Sequence, residues 1–222
     1  MGNTRRVLEE RGVLNLSKKM GFKAVALDEE DAEGWLKIPR EGTHWVKGFY
    51  ISKIFDESDK VVQTCCLKTH RFGGHFTLSL KNSVGLVAKT VPGGLYNYMA
   101  ELHISPYQRL MIAEVNKYYN VDLVVMDALK AFIKGGPERG KLVEPNLLLA
   151  SKDRVALDAV GVAILRDHGA KVNSKRSIFE LEQINRASEL DIGVKSAAEI
   201  NLVPLNEECQ AVAERIVDIL QN

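Results

Sequence analysis

One short stretch in the second half of the chain restricts the fold most. Val155, Ala156, Leu157, Ala159, Val160, Val162, Ala163 and Ile164 form a helix that is apolar on nearly every side, with one carboxylate, Asp158, among them. A helix without a polar face belongs inside a protein. Asp158 is then buried too, and a lone buried carboxylate is costly unless it finds a partner or takes up a proton. Lys68, His70 and Lys81 are the partners on offer, and both a pairing role and a direct chemical role stay open for Asp158.

Runs of strand and helix alternate around this segment. Residues 60–67 read as a central strand, 121–126 (VDLVVM) as a buried strand ending in Asp127, and 146–150 (NLLLA) as another. Ser151 is the expected cap of the helix over 153–166. Amphipathic helices are predicted over 106–118, 177–190 and 206–221, a short helix over 51–55, and a helix over 4–20 interrupted at Gly12. Residues 22–27 read as a short strand. The polar region 28–48 reads as a loop, with room for one strand, that Trp35 and Trp45 pin to the body. The alternation predicts an α/β layered domain with a largely parallel sheet flanked by helices, one domain over 1–222 with a helical segment at 177–222. No βα unit precedes the first strand, so the sheet is expected to lack strands found in longer relatives.

The charge balance, 30 basic against 29 acidic residues, gives no support to nucleic-acid binding, which needs excess positive charge. The three cysteines, Cys65, Cys66 and Cys209, include no CxxC, so no iron–sulfur cluster is expected from this chain alone. Free thiols suit a reducing compartment. No leader pattern and no long apolar run is present, so a soluble, cytoplasmic chain without membrane contact is expected.

The chemistry is concentrated where the first central strand ends. Lys68, His70, His75, Lys81 and Asn82 follow an apolar run, in the position where α/β proteins hold ligands. Lysines there suit an anion, and imidazoles suit proton transfer or a metal. Gly73 and Gly74 would let backbone approach a ligand. The alternatives are a histidine bonded to local backbone and, for Lys81, a snorkelling side chain. Asp127 is a candidate metal ligand, base or lysine partner, or equally a helix N-cap for 128–134. The segment 128–141, with Gly135, Gly136 and Gly140, reads as a mobile loop able to bind anions or close as a lid. Leu142 follows where a phosphate-binding GxxxxGK loop needs Ser or Thr, so an NTPase is not expected. Cys65 and Cys66 read as inert core residues.

Five blocks in order carry a resemblance: Leu-Lys-Thr-His (67–70), Leu-Lys-Asn-Ser-Val-Gly (80–85), Val-Val-Met-Asp-Ala (124–128), Gly-Gly-Pro-Glu-Arg-Gly-Lys (135–141) and the run from Leu148 to Gly161. They resemble the domain-of-unknown-function family numbered 362. The resemblance implies an α/β domain of unsettled activity, often joined to a ferredoxin-like iron–sulfur segment. This chain departs from it in having no cluster cysteines and no N-terminal βα portion. The expectation is a protein that binds a small anionic molecule and performs acid–base or redox chemistry. His70, Lys68 and Asp127 would be its catalytic groups. Lys81, Asn82, Gly135, Gly136, Gly140 and Asp158 would be its ligand-binding ones. A divalent metal on His70, His75 and Asp127 is a further expectation. The alternative is a non-catalytic module that docks a ferredoxin-like partner.

Overall fold

In the computed structural model, which describes residues 3–72 and 75–221, two helices come first, α1 (Thr4–Glu10) and α2 (Val13–Met20). The expected break between them is Gly12, at φ 72°. The strand expected over 22–27 does not form, and the chain passes into a 3-10 turn at Leu27–Glu29. β1 (Trp35–Ile38) and β2 (Phe49–Ser52) then make a two-stranded antiparallel sheet. The helix expected over 51–55 is reduced to a 3-10 turn at Lys53–Phe55. Phe49 and Ile51 are buried on one face of β2, and aromatic and β-branched residues favour that half-buried strand. Trp45 does pin its loop: it is buried, and its indole N–H donates to Met111 O at 3.3 Å.

The remaining elements are β3 (Val62–His70), β4 (His75–Thr77), α3 (Ser79–Asn82), α4 (Tyr98–Ile104), α5 (Gln108–Val115), β5 (Leu123–Gly135), β6 (Gly140–Val143), β7 (Leu147–Ser151), α6 (Arg154–Asp167), α7 (Glu182–Glu189) and α8 (Glu207–Gln221). The main sheet has the order β4-β3-β5-β6, with β7 also paired to β5. The fold is mixed α/β, but the sheet is not largely parallel: only β3 and β5 run parallel. β5 does not stop at Asp127. It continues to Gly135, and one tight turn then folds the chain back along its edge, first as β6 and, in the same direction, as β7, both antiparallel to it. Connections that short can only make antiparallel neighbours, whereas the parallel pair is joined by the long excursion through α3, α4 and α5.

Two clusters of buried side chains form the core. One lies between the sheet and α6, α7 and α8; the other joins β1 and β2 to α4 and α5. α6 has the sheet on one side and α8 on another, which explains its lack of a polar face. Gly161 allows the close approach: a Cβ there would stand 2.9 Å from Leu78 and 3.2 Å from Leu67 and Met126. The N-cap of α6 is Asp153, not Ser151. Asp153 accepts from Ala156 N at 2.8 Å, and the Ser151 hydroxyl in turn accepts from Asp153 N. No helix among the described residues is long and apolar enough to cross a membrane.

Candidate functional site

Strand alternation sorts the residues of β3. Cys65, Leu67 and Thr69 point into the core, while Thr64, Cys66, Lys68 and His70 point to the opposite face of the sheet. The two cysteines therefore differ. Burial pushes the Cys65 thiol up, as expected of an inert core residue. Cys66 is exposed, contrary to the expectation.

Lys81 and Asn82 are carried by α3, a single helical turn held from both ends. Asp158 Oδ1 accepts from Ser79 N at 2.8 Å and from Ser79 Oγ at 2.5 Å, and its Oδ2 accepts from Leu80 N at 3.1 Å. At the other end Asn116 Nδ2 donates to Leu80 O at 2.9 Å and to Ser83 Oγ at 3.1 Å. Arg154 closes the network by donating to Asn116 Oδ1 at 2.9 Å, with its guanidinium over the Tyr119 ring. Asp158 is buried as expected, but its partners are a hydroxyl and two backbone amides rather than Lys68, His70 or Lys81. Burial raises its carboxyl to about 7 despite those donors. Asn82 donates to Thr64 O, tying α3 to β3.

Lys68, His70 and Lys81 are electrostatic neighbours. Burial, then the nearby Lys68 charge, lowers Lys81 to about 8. Burial lowers His70 to about 4, helped by Lys81, His103 and Lys68 and opposed by its hydrogen bond with the Phe72 backbone. That bond, at 3.2 Å from Nδ1, is the local backbone contact anticipated as the alternative for a histidine here. Among the described residues neither Lys68 nor Lys81 has a carboxylate partner. His103, on α4 in a polar stretch that could wall a pocket, is also an electrostatic neighbour of His70.

The other candidates have different surroundings. His75 is Cα partner to His70, yet its electrostatic neighbours are Arg109 and Glu182; burial is the main cause lowering it. Asp127 is exposed in the middle of β5, opposite Cys66, and caps neither a helix nor a lysine: it accepts from Leu129 N at 2.9 Å. Among the described residues no three His, Cys, Asp or Glu side chains are grouped to hold a metal ion, so His70, His75 and Asp127 do not form the expected ligand set. Gly73 and Gly74 lie outside the described residues.

The glycine segment is a hairpin turn rather than a loose loop. Gly136 N donates to Arg139 O at 2.8 Å, so that amide is taken. A Cβ on Gly136 would come within 2.3 Å of Thr69 O, and one on Gly140 within 2.3 Å of Lys134 O. These glycines pack the turn against the end of β3, where the Thr69 hydroxyl donates to Phe132 O at 2.9 Å. Concavities of 510 Å³ beside Lys60, Tyr119 and Asp122, and of 310 Å³ beside Arg166 and Arg176, are not lined by Lys68, His70 or Lys81.

Ser79, Asn116 and Arg154 were not singled out from the sequence. Arg154 had a signal, as a cation opening a mostly apolar helix; Asn116 lies in the 3-10 turn that follows α5.

A family model described as "Domain of unknown function (DUF362)" matches residues 1–163. The chain belongs to the DUF362 family. The DUF362 match includes β3, α3 and most of α6, and with them Lys68, His70, Lys81 and Asp158. No curated protein and no solved structure matches the chain.

Proposed function

We propose that this DUF362 chain binds a small anionic ligand at the end of β3, with Lys68 and Lys81 supplying the charge and His70 a neutral imidazole. One observation carries the reading. Lys81 is half-buried, and the charge nearest to influence it, Lys68, has the same sign. A buried cation beside another cation is unfavourable without a counter-charge, and a bound carboxylate or phosphate would provide one. Burial holds His70 in the neutral form, so its ring offers the ligand an uncharged hydrogen-bonding group. A divalent metal does not fit, because two ammonium groups beside one imidazole repel it.

The test is calorimetric titration with phosphate and with a short dicarboxylate, on wild type and on Lys68→Ala and Lys81→Ala. Binding by the wild type, weakened in both variants, supports the reading. Unchanged binding in two folded variants ends it.

A second reading is a module that docks a ferredoxin-like partner in the cytoplasm. The sheet face away from α6 favours docking, since Val62 and Leu148 are 62% and 69% exposed on it. Co-purification of a coloured partner would support this reading; a colourless chain that binds anions alone would not.

A further inference from the structure

Beyond α6 the chain passes through residues 168–177 into a 3-10 turn at Ile178–Glu180. Arg166, in the last turn of α6, fixes that loop. Its Nη2 donates to Val172 O at 3.0 Å, Asn173 O at 3.2 Å and Arg176 O at 2.9 Å, and its Nε to Val172 O at 3.3 Å. Its Nη1 makes no hydrogen bond among the described residues, so the guanidinium still has donors to give. At the other end of the loop Glu180 Oε2 accepts from Ser177 N at 2.8 Å. Ser177 Oγ accepts in return from the Glu180 backbone, which leaves the hydroxyl its own proton to donate.

The fixed loop borders a cavity of 310 Å³. Arg166, Lys175 and Arg176 line it, together with Ser177 and with Asp218 and Ile219 of α8. Lys175 and Arg176 are exposed and have no carboxylate partner among the described residues. Three cations against one carboxylate leave the wall doubly positive. A carboxylate ligand would balance half of that, whereas a phosphomonoester carries about −1.5 to −2 at neutral pH. Arginine and a hydroxyl are also suited to its several acceptor oxygens. The volume lies at the small end of ligand pockets, which begin at about 300 Å³.

We propose that this cavity binds a small phosphomonoester, with the phosphate on Arg166, Lys175, Arg176 and Ser177 and the carbon part against Ile219. The site shares no residue with the anion site at the end of β3. All of its residues lie beyond the stretch 1–163 that the family model matches, so it belongs to the C-terminal part of this chain. The loop is already held by Arg166 and Glu180, so little ordering is needed when the ligand binds.

The experiment is a titration of the whole ¹⁵N-labelled chain with glycerol 3-phosphate at neutral pH, followed by amide NMR shifts, with inorganic phosphate and glycerol as comparisons. Glycerol 3-phosphate should move the amides of 174–177 and 218–219, bind more tightly than inorganic phosphate, and leave no effect for glycerol to reproduce. In the double variant Lys175→Gln, Arg176→Gln the affinity should fall on the order of tenfold or more, while Arg166 keeps the loop in place. Shifts confined to residues 68–82 overturn this inference and leave the β3 reading standing; shifts at 174–177 alone do the reverse. Affinity unchanged in the folded double variant, or no shifts at all, overturns it as well. Inorganic phosphate binding as tightly as the ester would overturn the assignment of an ester.

Discussion

Asp158 Oδ2 accepts the backbone N–H of Leu80 at 3.1 Å, joining the buried centre of α6 to a helical turn 78 residues earlier. The bond gives the carboxylate a structural task, since its oxygens replace the missing partners at the start of α3. Lys81 follows directly, so the position of the candidate site depends on a residue that does not face it. Replacing Asp158 by Ala would leave Ser79 N and Leu80 N buried and unpaired, at a cost of about 2–4 kcal/mol. Urea unfolding of Asp158→Ala measures the loss, and a variant as stable as wild type would refute the clamp.

The same carboxyl makes stability depend on pH. Its folded-state value, raised to about 7, means that the folded protein holds a proton there which the unfolded chain has released. The stability it contributes is full below about pH 4 and is lost as pH rises through 7. Unfolding of wild type and Asp158→Asn across pH 4–8 should show the stability of wild type relative to the variant falling as pH rises, because the contribution of His70 is common to both.

His70 acts in the opposite sense. Its folded-state value is lowered to about 4, so the unfolded chain binds the extra proton between there and the ordinary histidine range. Its contribution is present above about pH 6.5 and is lost as pH falls through the folded value. A proton NMR titration should place the His70 midpoint near 4; a midpoint in the ordinary range would show that the ring is not held in this environment.

Lys81→Met should separate function from stability. The substitution removes a half-buried cation that has no carboxylate partner among the described residues, so unfolding should show stability equal to or above wild type. Phosphate affinity should fall on the order of tenfold or more, the usual worth of one charge-assisted bond. A large loss of stability would mean that Lys81 serves the fold.

The cysteines give a direct check on β3. Native protein treated with iodoacetamide should be alkylated at Cys66, which is exposed, and at Cys65 only after unfolding. Equal labelling of both in the folded state would contradict the register.

What the sequence determined by itself is local. The pattern around 155–164 required a buried helix, Gly12 broke the first helix, and the lysine-histidine run after the apolar residues of β3 marked the site. The helix and its break follow from periodicity and single-residue backbone preference, which act over a few positions, and the lysine-histidine run marks only a candidate site. The tertiary structure decided the pairings. Whether β5 ends at Asp127 or runs on to Gly135 depends on β3, β6 and β7 lying beside it, and Asp127 is a mid-strand residue for that reason. Asp158 was legible as a buried carboxylate in need of partners; that they are Ser79 and Leu80 rather than a lysine follows from where α3 meets α6. Burial can be read from neighbours in sequence, but hydrogen bonds and charge clusters between distant segments exist only after the chain has packed.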